Sequence, residues 1–130
     1  LQQLGTQTAW VVHGSGCDEI ALHGKTYVCQ LKDGEITEFN LSPDDFGLTE
    51  KPLSTLAGGA PADNAAATVA ILNGSGQPAH NEAVAMNVAA MLKIAGLGDN
   101  LITNTRAVLE CLAAGKAMQT LQTFRELSHG

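Results

Sequence analysis

Two acids stand side by side at Asp18 and Glu19, directly behind the run His13-Gly14-Ser15-Gly16-Cys17. In an extended backbone neighbouring side chains point to opposite faces, so a regular strand would part them. Glycines at 14 and 16 free the backbone to twist. A twisted turn lets the pair grip one hard cation through oxygens, or serve two nearby cations with one acid each. Magnesium suits such a pair, because it keeps several waters and is shared between carboxylates and substrate phosphates. The pair also has a plain explanation, since exposed Asp and Glu in loops are common and need no function.

Other reactive side chains offer less. His13 follows apolar strand residues, and His23, His80 and His129 are scattered without a recognised ligand spacing, so a satisfied structural histidine is expected at 13. Cys17, Cys29 and Cys111 are odd in number and form no CxxC pair, against both a disulfide framework and a zinc site. Reduced thiols in the cytoplasm are expected, with Cys29 and Cys111 as small core residues. Cys17 beside two carboxylates is a poor nucleophile, because neighbouring negative charge disfavours the thiolate. "NGSGQP" (73–78) lacks the Gly-Lys-Ser/Thr ending of a phosphate loop and follows a helical pattern, not a strand.

The elements that must position the acids can be read around them. "AWVVH" (9–13) is a short apolar run ending at glycines, the pattern of a buried strand in a parallel sheet. Ligands collect beyond the carboxyl ends of such strands, where Asp18 and Glu19 emerge. "KTYVCQLK" and "EITEFNL" alternate on either side of Asp33-Gly34, which suits the type I′ turn of an antiparallel hairpin. In "SPDDFGL", Ser42, Pro43 and the acids predict one brief helical turn, which explains Asp44 and Asp45 without chemistry.

Pro61 opens a helix that closes near Asn73-Gly74, and from Ala79 onward the pattern is helical. Val84, Val88, Met91, Leu92 and Ala95 predict the apolar face of the next helix, with Ile102, Leu109 and Leu112 in a third and Ala117, Leu121 and Phe124 in a last. Met86, Met91 and Met118 are expected to pack. "LQQLGT" reads as the last turn of a helix capped by Gly5. The fold class is α/β: part of a mostly parallel sheet with an antiparallel hairpin, flanked by several C-terminal helices.

With 130 residues and 45% hydrophobic content, the chain suffices for one domain with a sizeable core. The net charge of −6 arises before residue 51, where eight acids face two lysines; beyond it five acids balance five bases. That acidity repels a phosphate backbone, so nucleic-acid binding is not expected, and phosphates near Asp18 and Glu19 need a divalent cation between. No apolar run approaches the roughly 20 residues that span a bilayer.

"VVHGSGCDEI", the "KDGEITEFNLSPDDFGL" hairpin and turn, and "LAGGAPADNA" resemble, in order and spacing, the carboxyl-terminal part of the anthranilate phosphoribosyltransferases. Each segment is modest alone; the ordered series covers essentially the whole chain. The resemblance implies transfer of the phosphoribosyl group of 5-phosphoribosyl 1-diphosphate to anthranilate, in tryptophan biosynthesis, with release of pyrophosphate and with Mg2+ bound to the diphosphate. It implies that Asp18 and Glu19 are the protein's metal contacts, with no catalytic acid or base in this segment. It also implies a homodimer in the intact enzyme and leaves room for a glutamine amidotransferase partner.

The family's Gly-Thr-Gly-Gly-Asp diphosphate loop, its Lys-His-Gly-Asn segment and the His and Arg that help hold anthranilate are not in this sequence. Residues 1–130 are therefore expected to be the carboxyl-terminal portion of the α/β catalytic domain, inactive alone. Two other readings stay open here. One is a non-catalytic nucleotide- or nucleic-acid-binding relative, which would need a basic surface; the other is a pyrimidine nucleoside phosphorylase-like enzyme, which upstream base-recognition residues would decide.

Overall fold

Asp33 and Gly34 take φ of 51° and 83° in the computed structural model, which describes residues 1–128. A type I′ turn requires positive φ at both central residues, so this pair joins β2 (Thr26–Lys32) to β3 (Glu35–Leu41) as the alternating sequence predicts. The register runs from Lys32↔Glu35 to Thr26↔Leu41. His129 lies outside the described residues.

The "AWVVH" run forms β1 (Thr8–Gly14), and it pairs antiparallel with β2 from Thr8↔Lys32 to Gly14↔Thr26. The sheet has three strands in the order β1-β2-β3, and the parallel neighbour expected of β1 is not among the described residues. Trp10 and Val12 pack inward, whereas Val11 is 57% exposed on the outer face. An apolar run looks the same in sequence whether one face or both are covered, which is why it suggested a parallel strand.

Gln2–Leu4 form a single 3-10 turn with Gly5 as its left-handed cap. Pro43–Phe46 form the brief turn read from "SPDDFGL", where the Asp45 carboxylate accepts from the Ser42 N–H at 2.7 Å and from its hydroxyl at 2.9 Å. A third 3-10 turn spans Leu53–Leu56. The helices follow: α1 (Pro61–Leu72), α2 (Pro78–Ile94), α3 (Leu101–Ala113) and α4 (Lys116–Ser128). Prolines open α1 and α2, where a missing N–H costs nothing, and the Asn100 side chain caps α3 by accepting from Thr103 N–H at 2.9 Å.

The core lies between the inner sheet face and α2. Val28 and Leu41 meet Ile20, Leu22 and Phe46, and all pack on Ala79, Met86, Ala89 and Ala90 of α2. Trp10 and Phe39 meet edge to face with centroids 5.5 Å apart, and Trp10 Nε1 donates to Gln30 Oε1 at 2.7 Å.

The apolar face of α2 is only in part the one expected. Ala85, Met86, Ala89 and Ala90 are its most buried residues, while Met91 is 65% exposed and Ala95 is also exposed. Val84, Val88 and Leu92 are half-buried against a second cluster built on Ala85, Val108 and Leu112. Small alanines at 85, 89 and 90 let α2 approach the sheet and α3 together, with Met86 the one large side chain filling that face. Ile102 and Cys111 of α3, expected inside, are exposed.

Candidate metal centre

β1 ends at Gly14, and the chain reverses at once. Ser15 and Gly16 have φ of 42° and 91°, and the turn closes through Gly14 N–H to the Cys17 carbonyl at 3.0 Å and Cys17 N–H to the Gly14 carbonyl at 2.8 Å. Positive φ is uncommon for a residue with a side chain, and here Ser15 is tied down on two sides. Its hydroxyl donates to the Lys25 carbonyl at 2.8 Å, and its carbonyl lies 3.2 Å from His23 Nε2, the donor when that nitrogen carries the proton. Gly14 admits no side chain: a Cβ there would run into the Glu19 carbonyl oxygen and stand 2.8 Å from the Ala21 nitrogen.

Asp18 and Glu19 follow in a bend, both exposed. The next three residues are buried, with Ile20 at 5%, Ala21 at 2% and Leu22 at 0% exposure. Their backbone lies outside the sheet and finds its partners elsewhere. Ile20 N–H donates to Asn87 Oδ1 at 3.1 Å, Asn87 Nδ2 donates to the Ile20 carbonyl at 3.3 Å, and Ala21 N–H donates to Thr26 Oγ1 at 2.9 Å. The backbone behind the acids is thus held by α2 and β2.

Glu19 lines the rim of a groove of about 300 Å³ that also takes in His23, His80, Leu53, Leu56 and Ile71. An adjoining hollow of about 480 Å³ shares Leu56, Ile71 and His80 and reaches Gly58, Gly59 and the first turn of α1. There "LAGGAPADNA" is organised by its own side chains. Asn64 Oδ1 accepts from Gly59 N–H at 2.8 Å, Asn64 Nδ2 donates to the Gly59 carbonyl at 3.1 Å, and the Asp63 carboxylate accepts from Ala60 N–H at 3.2 Å. Asp18 does not line the groove.

Among the described residues the one ion pair is Lys51–Glu82, at 3.2 Å, so no lysine or arginine neutralises Asp18 or Glu19. No three His, Cys, Asp or Glu of those residues gather where they could hold a metal ion. By donor chemistry alone, exposed carboxylates such as these suit a hard cation, which would need most of its oxygens from water or a phosphorylated ligand.

The histidine and cysteine expectations divide. His13 is exposed on the outer sheet face, in register with Tyr27, not a buried structural residue; the alternation of β1 turns it away from the core. The Tyr27 phenol is held above its ordinary value of 10.0, with hydrogen bonding to Glu38 as the leading cause, and it takes no part in the acidic turn. The Cys17 thiol donates to the Gly14 carbonyl at 2.8 Å, while Cys29 is half-buried and Cys111 exposed on α3. The hydrogen bonds by which Asn87, Thr26, His23 and Ser15 hold this backbone are not legible in the sequence. For Asn87 the available signal was a polar residue between Met86 and Val88 in an otherwise apolar stretch.

A family model described as glycosyl transferase family, a/b domain, matches residues 1–118. The chain belongs to this family. Within it, the anthranilate phosphoribosyltransferase of Aeromonas salmonicida (strain A449) is 50% identical over 129 residues, an overlap of 99% of this chain and 38% of that protein. The corresponding enzyme of Shewanella sp. (strain ANA-3) is 49% identical over 128 residues, with 98% of this chain and 37% of the relative covered. The chain therefore spans a little over a third of the length of these relatives.

Solved structures agree with the family. The anthranilate phosphoribosyltransferase of Thermus thermophilus superimposes with a TM-score of 0.84 at 33% identity, over 95% of this chain and 36% of that one. The Saccharomyces cerevisiae enzyme, solved in complex with PRPP and Mg, gives 0.80 at 27% identity, over 90% of this chain and 34% of its own. The resemblance read from the ordered motifs is thereby confirmed. Among the described residues of this a/b-domain chain, no helix is long and apolar enough to cross a membrane.

Proposed function

We propose that this chain is the carboxyl-terminal portion of the catalytic domain of a magnesium-dependent anthranilate phosphoribosyltransferase. The intact protein would transfer the phosphoribosyl group of 5-phosphoribosyl 1-diphosphate to the amine of anthranilate and release pyrophosphate, in tryptophan biosynthesis. The observation that carries this reading is the exposed, unneutralised Asp18–Glu19 pair on a backbone pinned from α2 and β2, with Glu19 at the rim of a groove. The yeast relative bound to PRPP and Mg supports the choice of ligand and metal.

Asp18 and Glu19 would hold Mg2+ through carboxylate oxygens. Bound there, the ion supplies charge compensation for the departing pyrophosphate. The protein's own contribution is position: the Ser15–Gly16 turn on one side and Asn87 and Thr26 on the other fix the backbone that carries the two acids. Neither carboxylate acts as a general acid or base in this account. The same reading makes the intact enzyme a cytoplasmic homodimer able to serve with a glutamine amidotransferase, and residues 1–130 alone inactive.

Titrating Mg2+ against 5-phosphoribosyl 1-diphosphate in the intact protein and in its Asp18→Asn/Glu19→Gln variant tests the proposal. The variant should lose turnover and require far more Mg2+. Unchanged turnover and metal dependence would end it.

A further inference from the structure

Asn87 makes three hydrogen bonds, and together they admit one orientation of its amide. Oδ1 accepts from Ile20 N–H at 3.1 Å, while Nδ2 donates to the Ile20 carbonyl at 3.3 Å and to the Ala83 carbonyl one turn earlier on α2 at 3.0 Å. Flipping the amide would set its NH2 group against an N–H and its oxygen against two carbonyls. The Ile20 N–H belongs to the peptide unit that leaves Glu19, so this side chain fixes the plane on which Glu19 ends. The helix beneath is immobilised by packing: Ala85, Met86 and Ala89 are 0% exposed and Ala90 is 3% exposed.

We propose that Asn87 is a positioning residue for the cation-holding pair, acting through the Glu19–Ile20 peptide. This rests on the reading of Asp18 and Glu19 as metal contacts. A strand would supply the turn with a backbone partner, but residues 18–25 leave the sheet, and a side-chain amide on α2 takes that place with one acceptor and one donor. The nearest comparison is Asn104 on α3. Its Nδ2 donates to the Ala89 and Gly98 carbonyls at 3.2 and 2.9 Å, a clamp between helices that does not touch the acidic turn.

The test uses the intact protein with Mn2+ as probe and 5-phosphoribosyl 1-diphosphate present, reading bound manganese by electron paramagnetic resonance and, separately, the melting temperature without ligands. Asn87→Leu and Asn87→Gln are compared with Asn104→Leu and with Asp18→Asn/Glu19→Gln. Asn87→Leu should weaken Mn2+ binding by about 10- to 100-fold, with KM for anthranilate unmoved, and Asn87→Gln by a smaller factor. Asn104→Leu should lower the melting temperature and leave Mn2+ affinity within about twofold of the parent.

Parent-like Mn2+ affinity in Asn87→Leu overturns the inference, as does an equal loss in Asn104→Leu, which would make the effect general destabilisation. If Asn87→Leu does not fold, Asn87→Gln decides alone, and unchanged affinity there overturns it. A double acid variant that binds Mn2+ like the parent overturns both the inference and the reading beneath it. Loss in the acid variant with none at Asn87 overturns the inference only.

Discussion

The Thr26 hydroxyl oxygen accepts the Ala21 N–H at 2.9 Å, joining the first residue of β2 to the segment that leaves the acidic turn. Both residues are buried, Thr26 at 1% and Ala21 at 2% exposure. Thr26→Val keeps the shape and removes the acceptor, leaving a buried N–H without a partner. Stability should fall by about 1–3 kcal/mol. Urea denaturation of the parent and the variant measures it, and a change within error would show that the bond carries no weight.

Gly14 is held to glycine by a close approach of backbone, not by its own torsion. In Gly14→Ala the new methyl meets the Glu19 carbonyl oxygen and the Ala21 nitrogen, so the turn has to open. The cost should be about 1–3 kcal/mol, the range for overpacking. The same variant should raise the Mg2+ concentration needed for half-maximal activity, because the displaced carbonyl belongs to Glu19.

Gly34 supplies a contrast at the far end of the sheet. Its φ of 83° lies in the left-handed region, with open space around the Cβ position. Gly34→Ala should therefore lose about 1–2 kcal/mol through torsion alone. Its Mg2+ requirement should match the parent's, and a shift as large as that of Gly14→Ala would contradict the separation of hairpin from site.

Met86 and Met91 test which face of α2 is inside. Met86 is fully buried and Met91 is 65% exposed. Met86→Ala should cost about 2–5 kcal/mol, whereas Met91→Ala should stay within about 0.5 kcal/mol. Equal losses by chemical denaturation would contradict the observed packing.

Where structure follows from neighbouring residues, the sequence could be read directly. Asp33-Gly34 demanded a particular turn, Ser42 and Asp45 wrote a cap, and Pro61 opened a helix at its own position, while the next helix starts at Pro78, one residue before the Ala79 read from the pattern. The acid pair was legible for the same reason, standing behind two glycines at the end of an apolar run.

What could not be read depends on contacts between distant segments. The Ile20 backbone is clamped by Asn87, 67 positions along the chain; a polar residue in the apolar stretch of α2 marks Asn87 as unusual, but nothing near either residue names its partner. On α2 the expected Val84, Val88 and Leu92 do pack, whereas Met91 and Ala95 stay outside and the most buried positions go to alanines, which carry little hydrophobic signal while permitting the closest packing. His13 was misplaced because apolar neighbours on a strand share its backbone but not its face.

Direct observation of the cation is the most incisive test of the account. Electron paramagnetic resonance of Mn2+ added to the intact protein with 5-phosphoribosyl 1-diphosphate should give a bound-metal signal that is lost in Asp18→Asn/Glu19→Gln, with the melting temperature little changed. A double variant that holds manganese as tightly as the parent would contradict the claim that these two carboxylates bind the metal.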